Sequence, residues 1–282
     1  MPKKLDNKCT ILVNSCDLYE DVWDPFFTLF KKYWPDCKFP IVLNTETKSY
    51  SFNGLKIKCL NLKKGKNVSI QWGERIIDCL ERINSKYVLF FLDDYFLYDY
   101  VDTSRIIKSI DYMEKNENIV YFNYFRWPKR GNYMDWLQYD GYTRIQSKSY
   151  YVCNCQIALW RRDKLISYLR KTDSPWDFEQ YGYKRKHSKN DELYSLDFFQ
   201  DMIFYYNPFV FGISRSKWQV KTKDLFEKEN IIVDFNKRGF FDFQDCFKKK
   251  KIFRKYDIKS ILYNFFHKVK KNFLLIIDRG NK

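Results

Sequence analysis

Histidine is almost absent: His187 and His267 are the only two in 282 residues. The eight cysteines (Cys9, Cys16, Cys37, Cys59, Cys79, Cys153, Cys155 and Cys246) are scattered and form no C-x-x-C pair. Together these absences exclude a zinc constellation of ordinary spacing. Several of the cysteines fall within apolar segments, where the thiol acts as a small hydrophobe. No run approaches the ~20 apolar residues of a membrane span. The start, Met-Pro-Lys-Lys-Leu-Asp, lacks the apolar stretch of a signal peptide. The expectation is a cytoplasmic chain with reduced thiols. No internal repeat is visible.

What is present is a large supply of core-forming residues. Hydrophobic residues make up 45% and aromatics 20%, which suits a sizeable core and excludes a disordered chain. The 26 Phe and 23 Tyr exceed what packing needs. Either they line a carbohydrate- or base-binding cleft, or an AT-rich genome raised them. A net charge of +16 asks for a polyanionic partner, whether nucleic acid, an acidic membrane surface or a phosphorylated substrate. Residues 221–282 carry 17 Lys and Arg against 8 Asp and Glu, while residues 1–220 carry 34 against 27. The excess is thus concentrated at the C-terminal end, as an appended basic surface and not a basic groove.

The first half alternates strand and helix. Apolar runs at Cys9–Asn14, Pro40–Asn44, Leu55–Leu60, Tyr87–Leu92 and Ile119–Tyr124 read as strands. Asp24-Pro25 reads as N-cap and first residue of a helix carrying Phe26, Phe27, Phe30, Tyr33 and Trp34. Ser69 and Asp102 read as caps of two more. The first of these has Trp72, Ile76, Ile77, Leu80 and Ile83 at the helical period. This rhythm predicts an α/β fold with an open, mostly parallel sheet flanked by helices, binding ligands outside the carboxyl ends of its strands. Beyond residue 125 the pattern loosens. A long aromatic loop to residue 150 precedes an expected strand at Val152–Trp160 and a helix from Arg162 to Lys171. A helical segment around Asp191–Tyr206 and a strand near Phe209–Ile213 are expected after that.

The strongest chemical signal is Asp93-Asp94, directly after the run YVLFFL, whose every residue is apolar. Such a strand is covered on both faces, so the two carboxylates face the crevice at the sheet edge. Two negative charges there are costly unless a cation compensates. Mg²⁺ is typically held by one or two carboxylates plus substrate phosphates, so the pair suits a diphosphate-bearing ligand. The plainer alternative is a turn with two solvated aspartates.

On this motif and on the order of elements over residues 8–215, the sequence resembles the GT-A glycosyltransferases, particularly bacterial enzymes of surface-polysaccharide synthesis. The resemblance implies a Rossmann-like catalytic domain over residues 1–220, with a nucleotide-sugar half to residue 124 and an acceptor half from 125 to 220. A basic C-terminal helical extension over 221–282 would follow. It implies that Asp94 ligates Mg²⁺ or Mn²⁺ on the donor diphosphate, with Asp93 at the metal, ribose or sugar. LDDY is not a strict D-x-D, so the division of roles between the two aspartates stays open. Asp17 and Tyr19 after the first strand, and Asn44 and Thr45 after the second, occupy places where such enzymes hold the nucleotide. Trp72 and Arg75 lie near a helix N-terminus, where a phosphate is stabilised. The alternatives there are core packing for Trp72 and an ion pair with Glu74 or Asp78 for Arg75. Lys217 follows the last strand, as a cation for the leaving diphosphate.

Inverting transfer needs a base for the acceptor hydroxyl. The acceptor half carries SPWDFEQ, so Glu179 is the leading candidate and Asp177 the second. The alternative is a helix N-terminus, where acids are favoured in the first turn. Gln156 and Trp160 are expected in the acceptor pocket. Between Lys248 and Lys271 ten basic residues and one acid alternate with apolar residues at helical spacing. Such a basic amphipathic helix either lies on anionic lipid, near a lipid-linked glycan acceptor, or docks on the catalytic domain. Two other classes compete. A nucleotidyltransferase carries a glycine-rich basic loop after its first strand, whereas SCDLYED is acidic and has no glycine; the same absence excludes a P-loop. No RNA- or DNA-binding motif is present, so no nucleic-acid partner is expected.

Overall fold

The segment Tyr87–Leu92 sends Tyr87, Leu89 and Phe91 into one hydrophobic core and Val88 and Phe90 into a second. The two cores lie on opposite faces of one sheet, as an all-apolar strand requires. The computed structural model describes residues 8–63, 70–125, 137–145, 152–186, 190–197 and 199–242. The expectations for Ser69, most of the loop before residue 150 and the basic tail helix lie outside the described residues.

In chain order the strands are β1 (Cys9–Asn14), β2 (Ile41–Asn44), β3 (Ile57–Cys59), β4 (Tyr87–Leu92), β5 (Ile119–Asn123), β6 (Leu137–Gln138), β7 (Tyr142–Arg144), β8 (Ala158–Arg161) and β9 (Glu192–Leu196). A separate hairpin joins β10 (Ile213–Ser214) to β11 (Lys217–Trp218). Among the described residues the main sheet runs in the order β3-β2-β1-β4-β8-β5-β9-β7-β6. The half from β3 to β4 is parallel. Strand β8 is wedged antiparallel between β4 and β5, and β9 returns parallel to β5. The α/β architecture is therefore the one expected, with more antiparallel pairing in its second half.

The helices are α1 (Glu20–Tyr33), α2 (Trp72–Glu81), α3 (Thr103–Lys115), α4 (Arg162–Tyr168), α5 (Pro175–Lys186) and α6 (Val220–Lys228). Apolar faces of α1, α3 and α6 enter the first core, and those of α2, α4 and α5 the second. Asp102 caps α3 as expected, its carboxylate accepting the Arg105 N–H at 3.2 Å. Among the described residues no helix is long and apolar enough to cross a membrane.

Four local expectations are corrected. Helix α1 begins at Glu20, with Pro25 inside it and not at its start. A proline within a helix costs ~3 kcal/mol, but the extra turn buries Val22 and Trp23 completely or nearly so. Each such side chain returns ~1.5–3 kcal/mol, enough to outweigh that cost. Residues 192–196, expected as helix, form β9, because Leu193, Tyr194 and Leu196 are all buried between β5 and β7. The strand expected over Val152–Trp160 starts only at Ala158, and the one near Phe209–Ile213 shrinks to the hairpin. Packing continues past residue 220. Leu225 and Phe226 of α6 are buried, and Phe226 meets Phe96 edge-on at 4.9 Å.

Candidate active site

At the carboxyl ends of β1 and β4 lies a cavity of about 500 Å³. Its floor is Asn14, Ser15, Asp93 and Asp94; α2 contributes Trp72 and Arg75, and α5 contributes Trp176 and Glu179. The hairpin closes the remaining side with Ile213, Arg215 and Ser216. These residues, from five separate stretches of the chain, thus converge on the position the sheet topology favours for ligands.

Asp93 is 5% exposed and accepts a hydrogen bond from the Ser15 hydroxyl, which itself accepts from the Trp23 indole N–H at 2.6 Å. Burial, reinforced by the negative charge of Asp94, raises its carboxyl well above the usual range. Burial likewise pushes Asp94 up to about 6, although the Ile213 N–H donates to its Oδ2 at 3.1 Å. Both acids are therefore unfavourable as bare anions, and a cation would relieve both. Among the described residues no group of three or more His, Cys, Asp or Glu is gathered to hold a metal ion. Two carboxylates are what Mg²⁺ takes from a protein when substrate phosphates complete its shell, so the pair fits a divalent cation on a phosphate ligand.

Arg75 is 9% exposed and pairs with Glu46 at 3.3 Å. Its buried Nε has no hydrogen-bond partner among the described residues. A buried unpaired donor of a guanidinium is costly, and an anion in the cavity would satisfy it. At the helix end beside it, two of the N–H groups are already taken. The N–H groups of Gly73 and Glu74 already donate to the carbonyls of Asp173 and Lys171, at 2.9 and 3.0 Å. Those two groups are not free to meet the phosphate expected at the α2 N-terminus. Trp72 combines both of its readings, lining the cavity while packing on Phe178 at 6.0 Å.

Glu179 lines the cavity and accepts the Cys155 N–H at 2.9 Å. Burial raises its carboxyl above the ordinary range. Asp177 is outside the cavity lining. It exchanges capping bonds with Ser174, receiving both its N–H (3.1 Å) and its hydroxyl (2.8 Å). Tyr19 lines the cavity, whereas Asp17 accepts the N–H groups of Glu46 and Thr47 at 2.9 Å each, and so staples the loop after β1 to the loop after β2. Although burial raises Asp17, these bonds and the Thr47 hydroxyl lower it below the usual range. Asn44 and Thr45 are fully buried behind the wall; Asn44 reaches the cavity only through Asn14, to whose Oδ1 it donates at 2.9 Å.

Three further expected site residues, like Asp17, Asn44, Thr45 and Asp177, are not in the cavity wall. Trp160 is 1% exposed in the second core, packed on Tyr121 at 4.2 Å, because its position on β8 faces the helices and not the sheet edge. Gln156 accepts from the Tyr206 hydroxyl at 3.1 Å outside the lining. Lys217 is exposed on β11, and the cation that the hairpin brings to the rim is Arg215. Arg238, assigned to the tail from sequence, is instead anchored at the start of α1, beside two lining residues, Tyr19 and Ser216. Its guanidinium grips both Asp21 carboxylate oxygens (2.7 and 2.5 Å) and the Leu18 carbonyl (2.7 Å), and lies 4.4 Å from the Tyr19 ring centre. Burial still raises Asp93 and Asp94, and the Arg238 charge offsets a small part of that rise. No local pattern announced Arg238, and Arg215 lies two residues before the expected Lys217.

No family model matches the chain, and no curated protein sequence matches it. Solved structures resemble it at low identity. The S. aureus TarS fragment 1–349 is 12% identical, with 71% of this chain and 60% of that one covered and a TM-score of 0.45. The same fragment in complex with UDP-GlcNAc is 14% identical over 82% of this chain and 69% of that one, at 0.45. Glucosyl-3-phosphoglycerate synthase from Mycobacterium tuberculosis, in complex with Mn²⁺ and UDP-glucose, is 10% identical over 57% and 58%, at 0.34. A cytidylyltransferase from Leptospira borgpetersenii is 11% identical over 84% and 99%, at 0.41.

Proposed function

We propose that the chain is a metal-dependent glycosyltransferase that moves a sugar from a nucleoside-diphosphate donor to a glycan hydroxyl, with inversion. The observation that carries this reading is the meeting, in one cavity, of a desolvated carboxylate pair, a buried arginine with an unpaired Nε, and a third carboxylate raised by burial. Asp93 and Asp94 would hold Mg²⁺ or Mn²⁺, which when bound offsets the charge of the diphosphate. Arg75 and Arg215 supply the remaining positive charge for the two phosphates. Glu179 accepts the proton of the acceptor hydroxyl as that oxygen bonds to the anomeric carbon and the bond from carbon to phosphate oxygen breaks. Burial raises its affinity for a proton, the direction a general base needs. Tyr19, Asn14 and the stapled loops after β1 and β2 form the nucleotide end of the cavity.

The basic residues between 248 and 271 support a contact with anionic lipid, which would bring the enzyme to a lipid-linked glycan acceptor. Calorimetry with UDP, CDP and ADP, each with and without Mn²⁺, tests the donor reading. Metal-dependent binding of one nucleotide is expected. If none binds in a metal-dependent way, the proposal fails.

A further inference from the structure

Trp176 is 69% exposed, whereas Trp23, Trp34, Trp160 and Trp218 are each at most 2% exposed. It is not a stray surface residue, because it lines the cavity together with Glu179. The two are three positions apart in the first turns of α5, hence on one helix face. Capping explains why the helix starts here, but the Ser174–Asp177 exchange makes no demand on residue 176. A packed indole buries roughly 150–250 Å², and Trp176 forgoes most of that gain in the free protein.

We infer that Trp176 is the platform on which the acceptor lies, and that the acceptor presents an uncharged pyranose ring; the inference rests on the glycosyl-transfer reading. One face of a pyranose is a patch of C–H bonds with slight positive charge, complementary to the negative face of an indole. A ring lying flat on Trp176 turns its edge hydroxyls toward Glu179 on the same helix face. Charge points the same way. Arg75 and Arg215 are the only cations among the lining residues described, set against Asp93, Asp94 and Glu179. The donor's two phosphates engage both arginines, so a phosphorylated acceptor beside Glu179 would be left uncompensated.

Saturation-transfer NMR on the full chain with UDP and Mg²⁺ tests the assignment. The probes are methyl pyranosides of hexoses and N-acetylhexosamines, with glycerol 3-phosphate and ribitol 5-phosphate as open-chain anions. At least one pyranoside should receive saturation, strongest at its ring C–H protons. Trp176→Phe should keep the signal, and Trp176→Ala should lose about fivefold or more, the scale of one aromatic contact. Circular dichroism verifies that both variants are folded. No pyranoside signal, preference for the polyol phosphates, or an undiminished signal in Trp176→Ala would each overturn the platform. If calorimetry finds no metal-dependent binding of UDP, CDP or ADP to the parent protein, the transferase reading itself falls; nucleotide binding without a pyranoside signal removes only the platform.

Discussion

Gly212 and Asp94 sit so close that a β-carbon on Gly212 would lie 2.7 Å from the Asp94 carbonyl oxygen and 3.3 Å from its Oδ2. Gly212 also has φ of +106°, a conformation L side chains rarely adopt. The turn it permits aims the Ile213 N–H at the Asp94 carboxylate. Gly212→Ala should lose ~1–3 kcal/mol of stability and weaken metal-dependent nucleotide binding together with it. Thermal unfolding and calorimetry on the variant check both; unchanged values for each would mean that this turn does not hold Asp94.

Asp94 links binding to pH with a definite sign. Its folded-state value is raised from 3.8 to about 6, so the folded protein prefers the protonated acid. The stability this contributes is present at low pH and is lost as pH rises through about 6. The metal-free protein should therefore melt lower at pH 7 than at pH 5 through this group. Mn²⁺ affinity should run the opposite way, because the ligand is the carboxylate. Asp94→Asn is expected to raise the melting temperature of the metal-free protein, flatten this dependence and abolish metal-dependent UDP binding.

Glu179→Gln should slow transfer by ~10²-fold or more while donor affinity is kept. Asp177→Asn should instead cost ~1 kcal/mol of stability through the lost cap, with the rate little changed. Single-turnover rates and denaturant melts on the two variants separate the roles. The reverse pattern would make Asp177 the base.

Arg238 and Asp21 form a latch between the start of α1 and the chain after α6, 217 residues apart. Arg238→Ala and Asp21→Ala should each weaken nucleotide binding, because Tyr19 and Ser216 lose the contact that holds them together at the cavity. A double-mutant cycle should return a coupling of ~1 kcal/mol or more. Additive losses would show two independent contributions.

Truncation separates fold from tether. A chain ending at residue 247 should remain folded but no longer sediment with anionic vesicles, given ~1 kcal/mol per basic residue near such a surface. A chain ending at residue 219 should fail to fold, because it removes Leu225 and Phe226 from the first core. If the longer truncate also unfolds, the tail belongs to the core and the tether proposal is wrong.

Legibility followed the range of the interactions. Strands β1, β2, β4 and β5 could be read directly, since an uninterrupted apolar run of that length has one stable place, inside a covered sheet. Strand β9 could not, because ELYSL supports either period and only its neighbours β5 and β7 decide. Pro25 misled for a related reason: the local rule ends or starts a helix there, and the burial of Val22 and Trp23 overrides it.

The sequence by itself determined that two carboxylates end the central strand, that an α/β sheet presents them at its carboxyl edge, and that positive charge gathers toward the C-terminus. These follow from residue type and short-range spacing. Only the tertiary structure decided that Glu179 and not Asp177 lines the cavity, that Trp176 stands in it while Trp160 is core, and that Arg238 reaches back to Asp21. The physical reason is that a side chain's direction depends on the rotation of its helix or strand against the partners that bury it. That rotation is set by packing energy summed over residues far apart in the chain, and no local pattern records it.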